Sequence, residues 1–336
     1  NTMRNMIKQL LVVFFVSLIL SCHKTVPSSN SNPTPTTPPP APPIMLSHPT
    51  PLDTLYDWVR IGRVAEYVED IWFTADKVGF ITDNSNLYSS TDNGNTWTII
   101  NNTNYPNIFN IQFIDNQNGF VQGSNELGIT SDGGKTWLFK QLPSNAALYF
   151  QFVNTTTGFY LDPQSGLRKT SDAGNNWTTL LIQNQPYQQN FPFYFLDSAM
   201  GFSMNAGNFN KLTDGGATST NLASGVTTYG QGYYKMQFVD SLTGFSASPR
   251  GLIKTTDGGK TWINSLSSTT TFMVPYFLDS NNGYCIDSNI IYKTVDGGLD
   301  WTISCKLTGD SFSGIHFLDM NTGWASTFGG FVLRLK

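Results

Sequence analysis

The chain has 336 residues, of which 39% are hydrophobic, 14% aromatic and only 12% charged, with 30 glycines, a balance that suits one large β-rich, turn-rich unit better than a helical one. Nineteen Lys and Arg against 23 Asp and Glu leave a net charge of −4, with no basic run able to neutralise a line of phosphates, so nucleic acid is not an expected partner. Three His and three Cys, in no zinc-like spacing, give no expected metal site, and no cofactor is implied.

At the N-terminus Asn1 and Thr2 precede Met3, which reads as the initiator. Arg4 and Lys8 form a short basic region before residues 10–20 (LLVVFFVSLIL). A helix needs about 20 apolar residues to cross a bilayer, so this shorter run reads as the core of a signal peptide. It ends Ile19-Leu20-Ser21-Cys22, which resembles the bacterial lipobox. The resemblance implies a signal peptide over residues 1–21 and a lipidated Cys22, with each buried methylene of the acyl chains contributing roughly 0.8 kcal/mol of membrane hold. His23, where an Asp would mark inner-membrane retention, implies the outer membrane. The alternative is an ordinary cleaved signal with an incidental Cys.

Residues 22–54 read as a tether. Ten prolines fall in residues 23–53, and Pro-rich chain extends at about 3.1 Å per residue, giving a reach of up to roughly 90 Å. A polyproline ligand for a partner domain is the alternative reading.

From residue 55 the chain repeats. The motif [ST]-x-D-x-G-x-x-W occurs at residues 90–97, 130–137, 170–177, 255–262 and 294–301, with a degenerate copy at 212–219 (LTDGGATS). Its aspartates are Asp92, Asp132, Asp172, Asp214, Asp257 and Asp296, its tryptophans Trp97, Trp137, Trp177, Trp262 and Trp301, and its period 39 to 43 residues. A second motif, F-x-[DN]-x-x-x-G-[aromatic], lies upstream of each and places Gly at 79, 119, 158, 201, 244, 283 and 323; its first copy has Thr74 and Ala75 before Asp76. Short apolar or alternating stretches meeting Asx and Gly turns read as strands joined by hairpins. In the first motif the carboxylate accepts backbone N–H groups across the turn, Gly takes a positive φ, and Trp offers a large face to a neighbouring sheet.

Two hairpins per 40-residue unit make a four-stranded sheet that cannot bury both faces alone, the mark of a propeller blade. The expected fold is therefore all-β: a seven-bladed β-propeller of four-stranded blades over residues 55–336. The seventh unit lacks a fourth strand, and residues 57–61 (DWVRI) resemble the Trp-led outer strands, so the N-terminal strand is expected to close the ring and remove its open edge.

The first motif resembles the Asp-box, or bacterial neuraminidase repeat. Box, second motif and seven units together are most similar to the single-propeller photosystem II assembly-factor-like group. That resemblance implies an assembly or scaffold protein, not a catalyst. Sialidase activity would require an arginine cluster and an F-R-I-P-type motif, which the sequence lacks. Most acids belong to the two turn motifs; the others include Asp70, Asp83, Glu126, Asp162, Asp287 and Asp310, expected at the end of the ring where second and third strands join. A facing pair could hydrolyse a glycoside, but solvated loop charges are the simpler reading. His316 is expected to be packed or channel-lining, and Cys285 and Cys305 to stand too far apart for a disulfide.

Blade four is irregular: its motif has lost its Trp, and long aromatic segments flank it. Tyr187, Phe191, Tyr229, Tyr233 and Tyr234, with Asp162 and Arg250, are the candidate ligand face. The expected function is a non-catalytic, lipid-anchored scaffold of the bacterial envelope that binds a protein or protein complex of that compartment and is held to the membrane by its lipid. The alternative is a carbohydrate-binding protein or glycoside hydrolase acting on a glycan.

Overall fold

A computed structural model describes residues 53–100, 108–143, 149–162, 165–180, 191–205, 207–224, 235–270 and 272–336. The chain divides into Asn1–Pro42 and Pro43–Lys336, and all of these residues belong to the second unit. They build seven antiparallel sheets of four strands. Each is a meander; blade one runs Asp70–Phe73, Gly79–Thr82, Leu87–Ser90 and Thr98–Ile99. Blade seven contains Phe312–Asp319, Thr322–Thr327 and Phe331–Leu335 and takes its fourth strand, Trp58–Arg63, from the other end of the sequence, with Trp58 opposite Leu335 and Arg63 opposite Phe331. The seven-bladed propeller closed by an N-terminal strand is thus as the repeats imply.

The second motif is the joint between blades. Its aromatic, one residue after the Gly, stacks on the motif Phe of the next blade: Phe80 on Phe113, Phe120 on Phe152, Phe159 on Phe195, Phe202 on Phe238, Phe245 on Phe277, Tyr284 on Phe317 and, across the closure, Trp324 on Phe73. Ring centroids lie 3.4 to 4.5 Å apart. Each Phe also covers the Gly of its own blade. A Cβ on Gly79, Gly119 or Gly158 would come within 2.5 to 2.6 Å of the Phe73, Phe113 or Phe152 ring, so the position excludes any side chain for want of space. The Trp of the first motif then meets the same Phe edge-on, as Trp97 does Phe73 at 5.9 Å and 81°, an arrangement worth about 0.5–1.5 kcal/mol beyond area burial. Blade seven has no such Trp in its own segment; Trp58 of the closing strand takes the place, edge-on to Phe317 at 5.8 Å and 80°, with Nε1 donating to Ser304 Oγ of blade six at 2.9 Å.

Hydrogen bonds reinforce these joints. Gln112, just before Phe113, exchanges two bonds with the backbone of Phe152 in the next blade, both 2.8 Å. Gln151 does the same to Phe195 and Gln237 to Phe277. A buried amide with both ends paired avoids the cost of an unmet polar group.

The aspartates of the first motif hold turns. Asp132 accepts from Thr136 N and Oγ1 at 2.9 and 2.6 Å and from Thr130 Oγ1 at 2.8 Å, while Thr130 Oγ1 accepts from Gly134 N. Gly134 has φ +79°, and a Cβ there would strike the Phe80 ring of the preceding blade. Blade four departs for a visible reason: Leu212 replaces the hydroxyl residue, so the bridge to Gly216 N is lost. Leu180 fills the space beside Gly216, and the fourth strand lengthens to Thr218–Ser224. Cys285 and Cys305 are buried free thiols on the second and fourth strands of blade six with Ile290–Thr294 between them, the separation expected from sequence.

Candidate functional site

Because each blade is a meander, the turns between first and second strands and those carrying the motif aspartates share one end of the ring. The hairpins between second and third strands and the connectors between blades share the other. At the turn end the polar groups are consumed locally. Asp115, Asp197, Asp240 and Asp279 each accept two backbone N–H bonds two and three residues on. Hydrogen bonds from Thr136, Asn176 and Thr261 hold Asp132, Asp172 and Asp257 down to about 2. Carboxylates this strongly bonded to their own turns are acceptors with no proton to offer.

At the connector end the carboxylates are also engaged, each differently. Asp83 accepts from Ser85 N, Asn86 N and Tyr88 OH. Glu126 accepts from Gln141 Nε2. Asp162 pairs with Arg168 Nε at 3.0 Å and bonds Ser165 Oγ, with its side chain 1% exposed. Thr270 Oγ1 donates to Asp287. Asp310 accepts from Ser311 N and Gly329 N. Of the sequence-predicted ligand face, Tyr187, Tyr229, Tyr233 and Tyr234 lie outside the described residues, as does Cys22. Phe191 corrects its prediction: it is 9% exposed and packs with Phe193, Phe195 and Leu180 between blades three and four, because an apolar ring leading into an inner strand is drawn into the blade interface. Asp162 is likewise turned inward by Arg168. Arg250 is exposed, on an open cleft between blades five and six with Ser268, Thr270, Asp287 and Tyr292.

The inner strands bring a further group together that sequence reading did not assemble. Asp70 of blade one, Tyr149 of blade three and Lys235 of blade five occupy the same position, three residues before the motif Phe, at the start of or just before the inner strand. Asp70 accepts from Ile71 N at 3.0 Å and from Ile111 N of blade two at 3.2 Å. Burial raises its carboxyl, and the charge of Lys235 and those N–H bonds oppose the rise. Lys235 Nζ stands 6.0 Å from the Tyr149 ring. One level down, His316 lies against Trp72 at 4.2 Å, and its Nδ1 accepts from Phe73 N at 3.4 Å, closing blade seven on blade one. Burial lowers its pKa to about 3, so the ring is a neutral packed group, as expected. The signal that could have found this set is the fixed offset from the motif Phe; what hid it is that the residue type changes from blade to blade.

This architecture, repeated in its joints and most varied at its connector end, defines the class: a repeat propeller that presents loops. Residues 95–218 match the family described as Photosynthesis system II assembly factor YCF48. The fold is similar to that of YCF48 from Cyanidioschyzon merolae, at 16% identity and TM-score 0.65 over 83% of this chain and 98% of that one. It is equally similar to YCF48 bound to D1 peptide, at 17% identity and TM-score 0.65 over 84% and 97%. A glycoside hydrolase, the GH74 enzyme of Niastella koreensis, shares the fold at 15% identity and TM-score 0.62 over 82% of this chain and 53% of that one. No curated protein matches the sequence.

Proposed function

We propose that the protein is a lipid-anchored scaffold of the bacterial envelope, tethered through Cys22 and a Pro-rich stalk, that binds a protein partner on the connector end of its ring. The observation that carries the reading is the match of residues 95–218 to an assembly-factor family, whose fold has been solved with a peptide bound. The mechanism is rigid display. Stacked joints fix the blades, so the connectors are held in place before contact and less ordering entropy is lost on binding. The carboxylates described above are engaged by hydrogen bonds or an ion pair within the protein, which supports binding over hydrolysis.

The test is crosslinking of the tethered protein in intact cells of its source, followed by purification and mass spectrometry of what is joined to it. Recovery of one envelope complex, and loss of membrane association in Cys22→Ala, is the expected result. The GH74 likeness favours one competing reading, hydrolysis of a glycan, and turnover of an envelope or host polysaccharide by the purified protein would establish that reading in place of the scaffold.

A further inference from the structure

Residues 64–69 lead from the closing strand into blade one and cross the hairpin of blade seven on the way. Val64 N donates to Gly330 O at 2.8 Å and Arg63 Nε to Gly329 O at 3.1 Å. Gly330, at φ +84°, lets the Ala65 carbonyl come where a Cβ would otherwise stand. The crossing lays the Tyr67 ring on Phe328, centroids 5.3 Å apart and planes 26° apart. Phe272, on the connector into blade six, meets the same Phe328 edge-on at 5.8 Å. Three rings from three blades are therefore in contact at the connector end, and each keeps part of its surface exposed.

The platform beneath them is laced by backbone bonds. Ser288 N donates to Phe272 O, Phe312 N to Ser288 O and Phe328 N to Ser311 O, at 2.9 to 3.1 Å. Such rings are ordered in advance and lose little freedom when covered. Acidic groups outnumber the one nearby cation. Glu66 is exposed and Glu69 partly so on the crossing segment, and Asp310 sits below Phe328 with Oδ2 buried and without a hydrogen-bond partner. The two ion pairs among the described residues are Arg60–Asp53 and Arg168–Asp162, so among those residues no cation lies within 4.0 Å of these three carboxylates. Arg63, the nearby cation, is directed to the Gly329 carbonyl and lies 5.9 Å from the Phe331 ring. Burial, joined by the neighbouring charge of Asp70, drives Glu69 up to about 7 against the bond from Tyr67.

We propose that the Tyr67–Phe328–Phe272 ridge is a docking site for an extended protein segment bearing lysine or arginine, whose basic side chain lies over the rings with its charged head among Glu66, Glu69 and Asp310. This rests on the protein-binding reading and gives it a place and a partner chemistry. Charge complementarity selects the occupant: carboxylates without a cation partner beside aromatic faces favour a cation, which draws the Glu69 carboxyl toward its ionised form and gains from the ring quadrupole as well as from the acids.

The experiment probes the full chain with an array of twelve-residue synthetic peptides at constant apolar content, graded from acidic through neutral to Lys/Arg-rich. Binding is expected to rise with basic content. It should weaken about 3- to 30-fold on Tyr67→Ala or Phe328→Ala, the loss of one cation–π contact, and also on Glu69→Gln, which keeps the shape of the side chain. Lys260→Ala at the turn end serves as a control for surface change in general, and the unfolding midpoint of each variant separates lost binding from lost fold. Equal binding of acidic peptides, no binding of any, or binding indifferent to Tyr67 and Phe328 overturns the proposal. So does a glycan array that binds through these same rings. The wider reading fails separately: a partner captured in cells through another face leaves the scaffold standing without the ridge, and ridge binding to basic peptides with no partner in cells leaves the ridge without the scaffold.

Discussion

The two ends of the ring obey different rules. At the turn end one solution recurs in five of the seven blades: a carboxylate across a turn, a hydroxyl bridging to Gly, a Trp on the edge of a Phe. At the connector end the side-chain solutions differ: Asp83 holds its own hairpin, Asp162 is spent on Arg168, and residues 64–69 fold over blade seven to bring Tyr67 to Phe328. The difference teaches that repetition marks what the fold requires, and that selection for binding is free to act where repetition stops.

The comparison breaks most visibly where the two chain ends meet. Trp58→Ala removes a fully buried ring, its edge contact with Phe317 and the Nε1 bond to Ser304; large-to-small changes of this kind cost about 3–5 kcal/mol. Denaturant unfolding should show a loss in that range, and a loss under about 1 kcal/mol, typical of surface positions, would mean that the closing strand is not anchored by this residue. Next in size is Gly158→Ala, which forces a methyl to within 2.6 Å of the Phe152 ring. Overpacking of this sort costs about 1–3 kcal/mol, and a thermal midpoint equal to that of the parent would refute the sandwich of Gly and ring as a constraint.

Acid below about pH 3.8 tests the turn end. Asp132, Asp172 and Asp257 have pKa values lowered from 3.8 to about 2. Their contribution is therefore present above 3.8 and lost as pH falls through about 2. Unfolding midpoints measured across that window should drop, and drop less in a Thr136→Val, Thr261→Val double variant; an unchanged acid profile would show that the hydroxyl bonds do not set these carboxyls. The smallest effect is expected at His316. Its pKa falls from 6.5 to about 3, so the stability it confers is present above 6.5 and diminishes as pH drops toward 3, because the unfolded chain takes the proton first. His316→Gln installs the residue found at the matching position in Gln112, Gln151 and Gln237. It should leave neutral stability within about 1 kcal/mol and flatten the slope between those two values; a steeper slope would contradict the assignment.

The ring, its blade count and its closure were readable because they are periodic: a Gly every 40 residues or so and a Trp-led strand stranded at the wrong end suffice. The second motif was read as a turn, and that reading was incomplete. Its Phe, Gly and following aromatic form a joint between blades, which becomes visible only when neighbouring copies are set side by side in space. Gln112, Gln151 and Gln237 were missed because a polar residue on a strand reads as solvent-facing until its partner in the next blade is known. Tyr67, Phe272 and Phe328 were missed for a different reason. They belong to no motif, and Phe272 and Phe328 lie more than 200 residues beyond Tyr67 in the chain, brought together by closure itself. Phe191 was misplaced because aromatic content alone does not tell a buried ring from a presented one.

The circle of seven aromatic stacks has a consequence for how the molecule comes apart. In an open array of repeats the outermost unit touches one neighbour only, so unravelling starts there at low cost and advances stepwise. Here the stack of Trp324 on Phe73 gives the last blade the same two neighbours as every other, leaving no terminus from which to fray. Opening at any seam sacrifices a stack at once and relieves nothing elsewhere, so the ring is built to remain whole until it fails all together.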